Sequence, residues 1–184
     1  MSNVVLWVVA GIFALIVLYA VFTFNSLIML RNRVNNSWSQ IDVQLKRRYD
    51  LIPNLVNSVK GYMKHEKNVL TQITKMRSNL VSGSMGQKAK ASDMVSNALK
   101  TIFAVAENYP KLQASENFKM LQEELAGTES KIAFSRQFYN DNVMALNNRI
   151  QQFPSSIIAN MLNFKGKEFF KSAETEKKPV KVEF

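Results

Sequence analysis

Few residues in this chain are equipped for covalent chemistry. His65 is the only histidine. It stands in Lys64-His65-Glu66-Lys67, and one imidazole among charged neighbours builds neither a metal site nor a catalytic triad. A surface histidine is the simpler reading. Glu123 and Glu124 are adjacent, so on a helix they point to different sides rather than flanking one substrate. Glu124 with Thr128, and Glu129 with Arg136, sit at ordinary helix-surface spacings. Cysteine is absent, which excludes a disulfide framework, a thiolate zinc site and a Cys nucleophile. The Gly-rich phosphate and dinucleotide loops, the G-x-S-x-G elbow and H-E-x-x-H are missing as well. The expectation is a non-enzymatic protein with no cofactor, no metal and no catalytic residue.

The chemistry these residues do support is interfacial. Phe164-Lys165-Gly166-Lys167-Glu168-Phe169-Phe170-Lys171 interleaves aromatics with lysines, just after the apolar Ile157, Ile158, Met161 and Leu162. Such apolar groups could enter the acyl boundary of a bilayer while the lysines meet anionic headgroups. The same residues could instead close the end of a bundle or pack on a neighbouring subunit. A second basic set is Arg31 and Arg33, followed by Lys46-Arg47-Arg48. Between Asn25 and Lys90 the chain carries 12 Lys/Arg against 3 Asp/Glu, within a net charge of +10. That half could attract anionic lipid or an acidic partner, or be a solvated basic face. No recognised nucleic-acid module accompanies it, so nucleic acid is the least favoured partner.

The element that must position these groups is Val4 to Phe24, VVLWVVAGIFALIVLYAVFTF, which holds no charge. A helix of this length spans about 30 Å, the hydrocarbon thickness of a bilayer. Trp7 lies near one end and Tyr19 and Phe24 near the other, as interfacial aromatics do. A signal peptide would have a charged leader and a shorter apolar core; a buried core helix is the other alternative. Arg31, Arg33, Lys46, Arg47 and Arg48 then place the following side in the cytoplasm by the positive-inside rule.

The apolar spacing continues past the span. Leu27, Leu30, Val34, Trp38, Ile41, Leu45, Tyr49 and Ile52 recur at threes and fours, with no Gly or Pro from Val21 to Ile52. This predicts one unbroken helix leaving the bilayer as a stalk. Arg31 falls about 10 Å beyond Phe24, at headgroup depth. Pro53 is expected to end the stalk and open a second helix reaching Val81. Ser82-Gly83-Ser84-Met85-Gly86 breaks the pattern, and Ser92 or Asp93 is expected to begin a third helix ending at Tyr109-Pro110. Ser115 would cap a long fourth helix, soft at Gly127, that Pro154 closes. The fold expected is all-α: an N-terminal transmembrane helix continuing into an antiparallel bundle of long amphipathic helices. Its divisions would be an anchor at 1–24, the bundle at 25–153 and a short amphipathic segment with a flexible basic tail at 154–184. Up-down parity would bring Phe153-Pro154 and the segment from Ile157 to Lys171 back to the membrane surface.

The run from Arg31 through Trp38, Ile41-Asp42 and Lys46-Arg47-Arg48-Tyr49-Asp50-Leu51-Ile52-Pro53-Asn54-Leu55-Val56 resembles the LemA family of bacterial membrane proteins. The likeness continues through Val59-Lys60-Gly61-Tyr62, Lys64-His65-Glu66, Tyr109-Pro110, Phe118, Leu121-Gln122, Leu125, Arg136-Gln137-Phe138-Tyr139-Asn140-Asp141 and Phe153-Pro154-Ser155. The resemblance implies a single-pass protein of the bacterial cytoplasmic membrane with an α-helical domain. It also implies links to intracellular membrane compartments and to membrane proteases, and it carries over no catalytic residue. Two functions follow as expectations. One is a scaffold that forms homo-oligomers through the stalk, with Asn35, Trp38, Ile41 and Leu45 as contacts between copies. The other is an adaptor recruiting a protein partner of unknown identity. In both, the membrane-lipid contacts are Arg31, Arg33, Phe164, Lys165, Lys167, Phe169, Phe170 and Lys171.

Overall fold

The computed structural model describes residues 2–63 and 67–170. His65, Lys171 and the charged tail beyond it lie outside these residues. Among the described residues all regular structure is helical: α1 Ser2–Lys60, α2 Lys67–Arg77, α3 Asn79–Ser82, α4 Met85–Ala106, α5 Pro110–Gln113, α6 Glu116–Gln151 and α7 Ser155–Met161. The all-α expectation holds, and the stalk is helical without a break from the apolar run. The side chains from Val4 to Phe22 are largely exposed, and α1 is long and apolar enough to cross a membrane.

Pro53 does not end the stalk. It lies inside α1, which continues to Lys60. A proline there leaves the carbonyl four residues back without its helical donor. That carbonyl belongs to Tyr49, and the Arg77 side chain supplies the missing bond: its Nε donates to Tyr49 O at 2.9 Å. The Arg77 guanidinium also covers the Tyr49 ring, 3.8 Å from its centroid. Ile52, Leu55 and Val59 are buried on both sides of the proline, so packing favours continuation.

Two further boundaries are corrected. The expected second helix is two shorter ones, α2 and α3, which pack on α4. The third helix begins at Met85 rather than at Ser92. Ser84 is its N-cap: the hydroxyl accepts from Gln87 N–H and the Gln87 side chain accepts from Ser84 N–H, a capping box. Gly83 is fixed by crowding there, since a Cβ would stand 2.8 Å from Asn79 O. Ser92 is fully buried instead. Pro110 opens α5 at its first turn, and α6 runs through Gly127 to Gln151.

Two compact units make up the chain. The first comprises residues 1–38 and 138–169, the second 39–137 with Phe170. In the second, buried apolar side chains come from α1 (Ile41, Leu45, Ile52, Leu55), α2 (Ile73), α4 (Val95, Leu99, Ile102) and α6 (Phe118, Leu125, Ile132). Phe103 and Phe118 meet edge to face at 6.3 Å. In the first, Leu27 and Val34 of α1 and Tyr139, Val143 and Leu146 of α6 are buried.

Candidate membrane interface

In the first unit the segment after α6 is folded back on α1 by a short series of local devices. Ser155 opens α7 with its hydroxyl bonded to Arg149 O at 2.7 Å and Gln152 O at 2.8 Å. One face of α7, Ser155 and Ala159, is buried. The helix ends in a Schellman turn: Phe164 N–H donates to Ala159 O and Asn163 N–H to Asn160 O. Asn163 takes the left-handed conformation, φ 55°, that asparagine tolerates better than most residues. The turn delivers Phe164 to Arg31, whose guanidinium lies 5.7 Å from the ring centroid. The extended stretch beyond is held to α6 from both sides. Asn147 donates to Lys167 O and accepts from Lys167 N–H, each at 2.9 Å. Gly166 permits that approach, because a Cβ would stand 3.0 Å from Asn147 Oδ1. Tyr139 completes the anchorage, its hydroxyl donating to Glu168 O at 3.0 Å. Burial and the nearby Glu168 raise the Tyr139 pKa above its ordinary value.

The structure therefore brings Arg31, Phe164, Lys165 and Lys167 into one neighbourhood, with Arg31, Arg33, Lys165 and Lys167 all exposed. Phe169 is also exposed. Phe170 belongs elsewhere: only 4% exposed, it sits in the second unit beneath the Arg136 guanidinium, 4.6 Å from its ring centroid. It is a core residue there, because a cation over its face and burial together satisfy the ring. Of the stalk residues, Ile41 and Leu45 are fully buried within the chain's own core and have no surface to offer another copy. Trp38 is partly buried, edge-on to Tyr139 at 5.8 Å, and Asn35 is exposed.

The family model of the LemA family matches residues 37–184. The chain belongs to the LemA family. Protein LemA of Metamycoplasma hominis is 27% identical over 161 residues, covering 85% of this chain and 72% of that protein. Magnetosome protein MamQ 2 of Paramagnetospirillum magneticum is 24% identical over 203 residues, covering 96% of this chain and 73% of the relative. Magnetosome protein MamQ of Magnetospirillum gryphiswaldense is 22% identical, covering 85% and 68%. Together with the apolar part of α1, these relatives suggest a membrane association for this LemA-family chain.

One charged site escaped the sequence reading. Arg48, which belongs by sequence to the basic Lys46-Arg47-Arg48 set open to lipid, an acidic partner or solvent, is fully buried in the second unit. Its guanidinium pairs with Glu129 and donates to Ser92 O and Oγ at 3.2 Å and to Ser96 Oγ at 3.1 Å. Beside it, Arg136 pairs with Asp93 at 2.8 Å and donates to Ser92 Oγ at 2.8 Å. Burial, and then the neighbouring Arg136, lower the Arg48 pKa to about 10. The signal for it was in the spacing. Val34, Ser37, Ile41, Leu45, Arg48, Ile52, Leu55 and Val59 form an unbroken three-four series of buried positions, and Arg48 occupies a core slot in it. Two arginines facing two carboxylates and two serines form a structural tie among α1, α4 and α6. Among the described residues, no group of three or more His, Cys, Asp or Glu is gathered as a metal site would need.

Proposed function

We propose that this LemA-family protein is a non-enzymatic, single-pass membrane scaffold that assembles with copies of itself. In this reading α1 crosses the bacterial cytoplasmic membrane, and the chain from Arg31 onward lies on the cytoplasmic side, as the exposed Arg31 and Arg33 favour. The observation that carries self-assembly is apolar surface left over once the core is satisfied. Phe134 of the second unit is 72% exposed, and Phe138 of the first is 50% exposed. Large uncovered aromatics in each unit favour contact surfaces. Copies anchored by α1 enter the bilayer in the same sense, so rotation about the membrane normal is the symmetry open to them. Anchoring also raises their local concentration, so a weak contact suffices.

The test is the mass of the full-length chain in mild detergent and in lipid nanodiscs. Particles of several copies are expected, and Phe134→Glu with Phe138→Glu should reduce them to single chains of unchanged helix content. Single chains of the unaltered protein in several detergents and in nanodiscs would end the scaffold reading. The adaptor reading has one feature in its favour. A groove of about 440 Å³ in the second unit is lined by Asn54, Asn57, Ser58, Asn117, Met120, Leu121 and Glu124, amides beside apolar side chains that suit an amphipathic peptide. Single chains that co-purify with a second protein, a membrane protease for instance, would support it.

A further inference from the structure

The geometry points to α7 as a second membrane-contacting element, lying in the headgroup and acyl boundary of the leaflet through which α1 leaves the bilayer. This inference rests on the reading that α1 spans a membrane, and it gives the anchored chain a fixed seat on the lipid surface.

The height of α7 follows from register. Trp38 of α1 meets Tyr139 of α6, and Arg47, later in α1, meets Glu124, earlier in α6. The two helices are thus antiparallel. Both rise by about 1.5 Å per residue, so positions equally far from the Trp38–Tyr139 pair are level. Ser26 lies 12 residues before Trp38, and Gln151, the last residue of α6, lies 12 residues after Tyr139. The end of α6 therefore stands about 3 Å along α1 from Phe24, the last residue of the apolar run. Burial agrees: Thr23 is the first buried residue along α1, so the chain begins to cover α1 where the apolar run ends.

The outward face of α7 has the chemistry for that level. With Ser155 and Ala159 turned inward, Ile157 and Met161, spaced by four on α7, are 53% and 80% exposed, and Phe153, just before the helix, is 82% exposed. Beside them Leu162 is 49% exposed. A soluble surface would leave this ridge facing water, whereas the acyl boundary would solvate it. The surroundings suit a negatively charged lipid surface. From Phe153 to Lys167 there is no acidic residue, nor any from Met1 to Trp38, while Arg31, Arg33, Lys165 and Lys167 are exposed. The ridge differs from the Phe164–Lys171 set: Phe164 is half-buried against Arg31 and Phe170 is in the core, so the lipid-facing apolar groups lie upstream of the lysines.

The absence of cysteine makes the test direct. Ile157→Cys and Met161→Cys are each nitroxide-labelled in the full chain, reconstituted in vesicles of phosphatidylethanolamine and phosphatidylglycerol. Ile12→Cys serves as the bilayer reference and the exposed Met144→Cys as the water reference. Accessibility to oxygen and to a water-soluble nickel chelate is read by power saturation. The ratio of oxygen to nickel accessibility at 157 and 161 should be several-fold above that at 144 and below that at 12. Labels at 157 and 161 that match 144 overturn the inference, and so do labels shielded from both reagents, which would place the ridge against protein. If the label at 12 also behaves as in water, the membrane-span reading itself fails, and this inference fails with it.

Discussion

The two units of the chain treat charge in opposite ways. The first has 5 Lys/Arg and 2 Asp/Glu in its 70 residues, and its acids, Asp141 and Glu168, both follow Tyr139. Its exposed surface combines arginine, lysine and large apolar side chains. The second takes charge inside: Arg48 is fully buried, Arg136 and Asp93 nearly so, and Lys88 is buried against Asp42. Charge left at the surface, in a unit with few acids, suits a partner that brings negative charge in bulk. Charge buried with its counter-ions is already satisfied and spends its directionality on fixing helix positions. The first pattern fits a surface that meets lipid, the second a core that must hold one arrangement.

The largest effect should come from unbalancing the buried cluster. Glu129→Ala removes the carboxylate paired with Arg48 and leaves a fully buried guanidinium with only serine oxygens. An uncompensated buried charge costs about 3–5 kcal/mol. Circular-dichroism melting in detergent should show the Tm of the full chain lowered by about 10 °C or more. Adding Arg48→Met removes the stranded charge while keeping much of the side-chain volume, so the double variant should recover most of the loss. A double variant that melts no higher than Glu129→Ala would show that the penalty lies elsewhere.

Arg48 also marks where sequence reasoning stopped. The helical class, the continuous stalk and the break at Gly83 were legible because each rests on local spacing or a local breaker. Pro53 was misread because its tolerance depends on Arg77, a residue 24 positions later that reaches the Tyr49 carbonyl. Ser92 looked like an N-cap, since serine before an apolar run is a start signal; it is instead an acceptor for two arginines. Phe170 read as interfacial by its lysine neighbours, but long-range packing under Arg136 decides its place. Tertiary partners, which no local window contains, separate these residues from the ones read correctly. For the membrane interface, the composition was legible and the Schellman turn and Asn147 clamp were not.

A second prediction separates core from contact on the stalk. Leu45 is fully buried in the second unit. Leu45→Ala should destabilise by about 3 kcal/mol through lost transfer free energy and the cavity left behind. The mass of the assembled particle should stay unchanged at temperatures where the variant is folded. A variant that keeps its melting temperature but loses copies would return Leu45 to the interface between subunits.

The smallest effect tests the one phenol that the first unit buries. Tyr139 is fully buried and its hydroxyl donates to Glu168 O. Tyr139→Phe keeps the edge contact with Trp38 and removes the hydroxyl, which should cost about 1 kcal/mol near pH 7. Its pH dependence carries the sharper information. Burial, then the Glu168 carboxylate, hold the phenol's pKa above the ordinary value of 10.0. Below that value the phenol is neutral in both the folded and the unfolded chain, and its contribution is complete. As pH rises beyond it, the unfolded chain ionises first, and the contribution is lost progressively through the folded pKa. The unaltered chain should therefore keep its advantage over Tyr139→Phe from neutral pH to about pH 10 and shed it as pH rises beyond, while every other tyrosine and lysine affects both proteins alike. Melting curves of the two proteins across that range check this. An advantage that stays constant to pH 11 would mean that the phenol ionises as readily in the folded protein as in water, and that the clamp on Glu168 does not shield it.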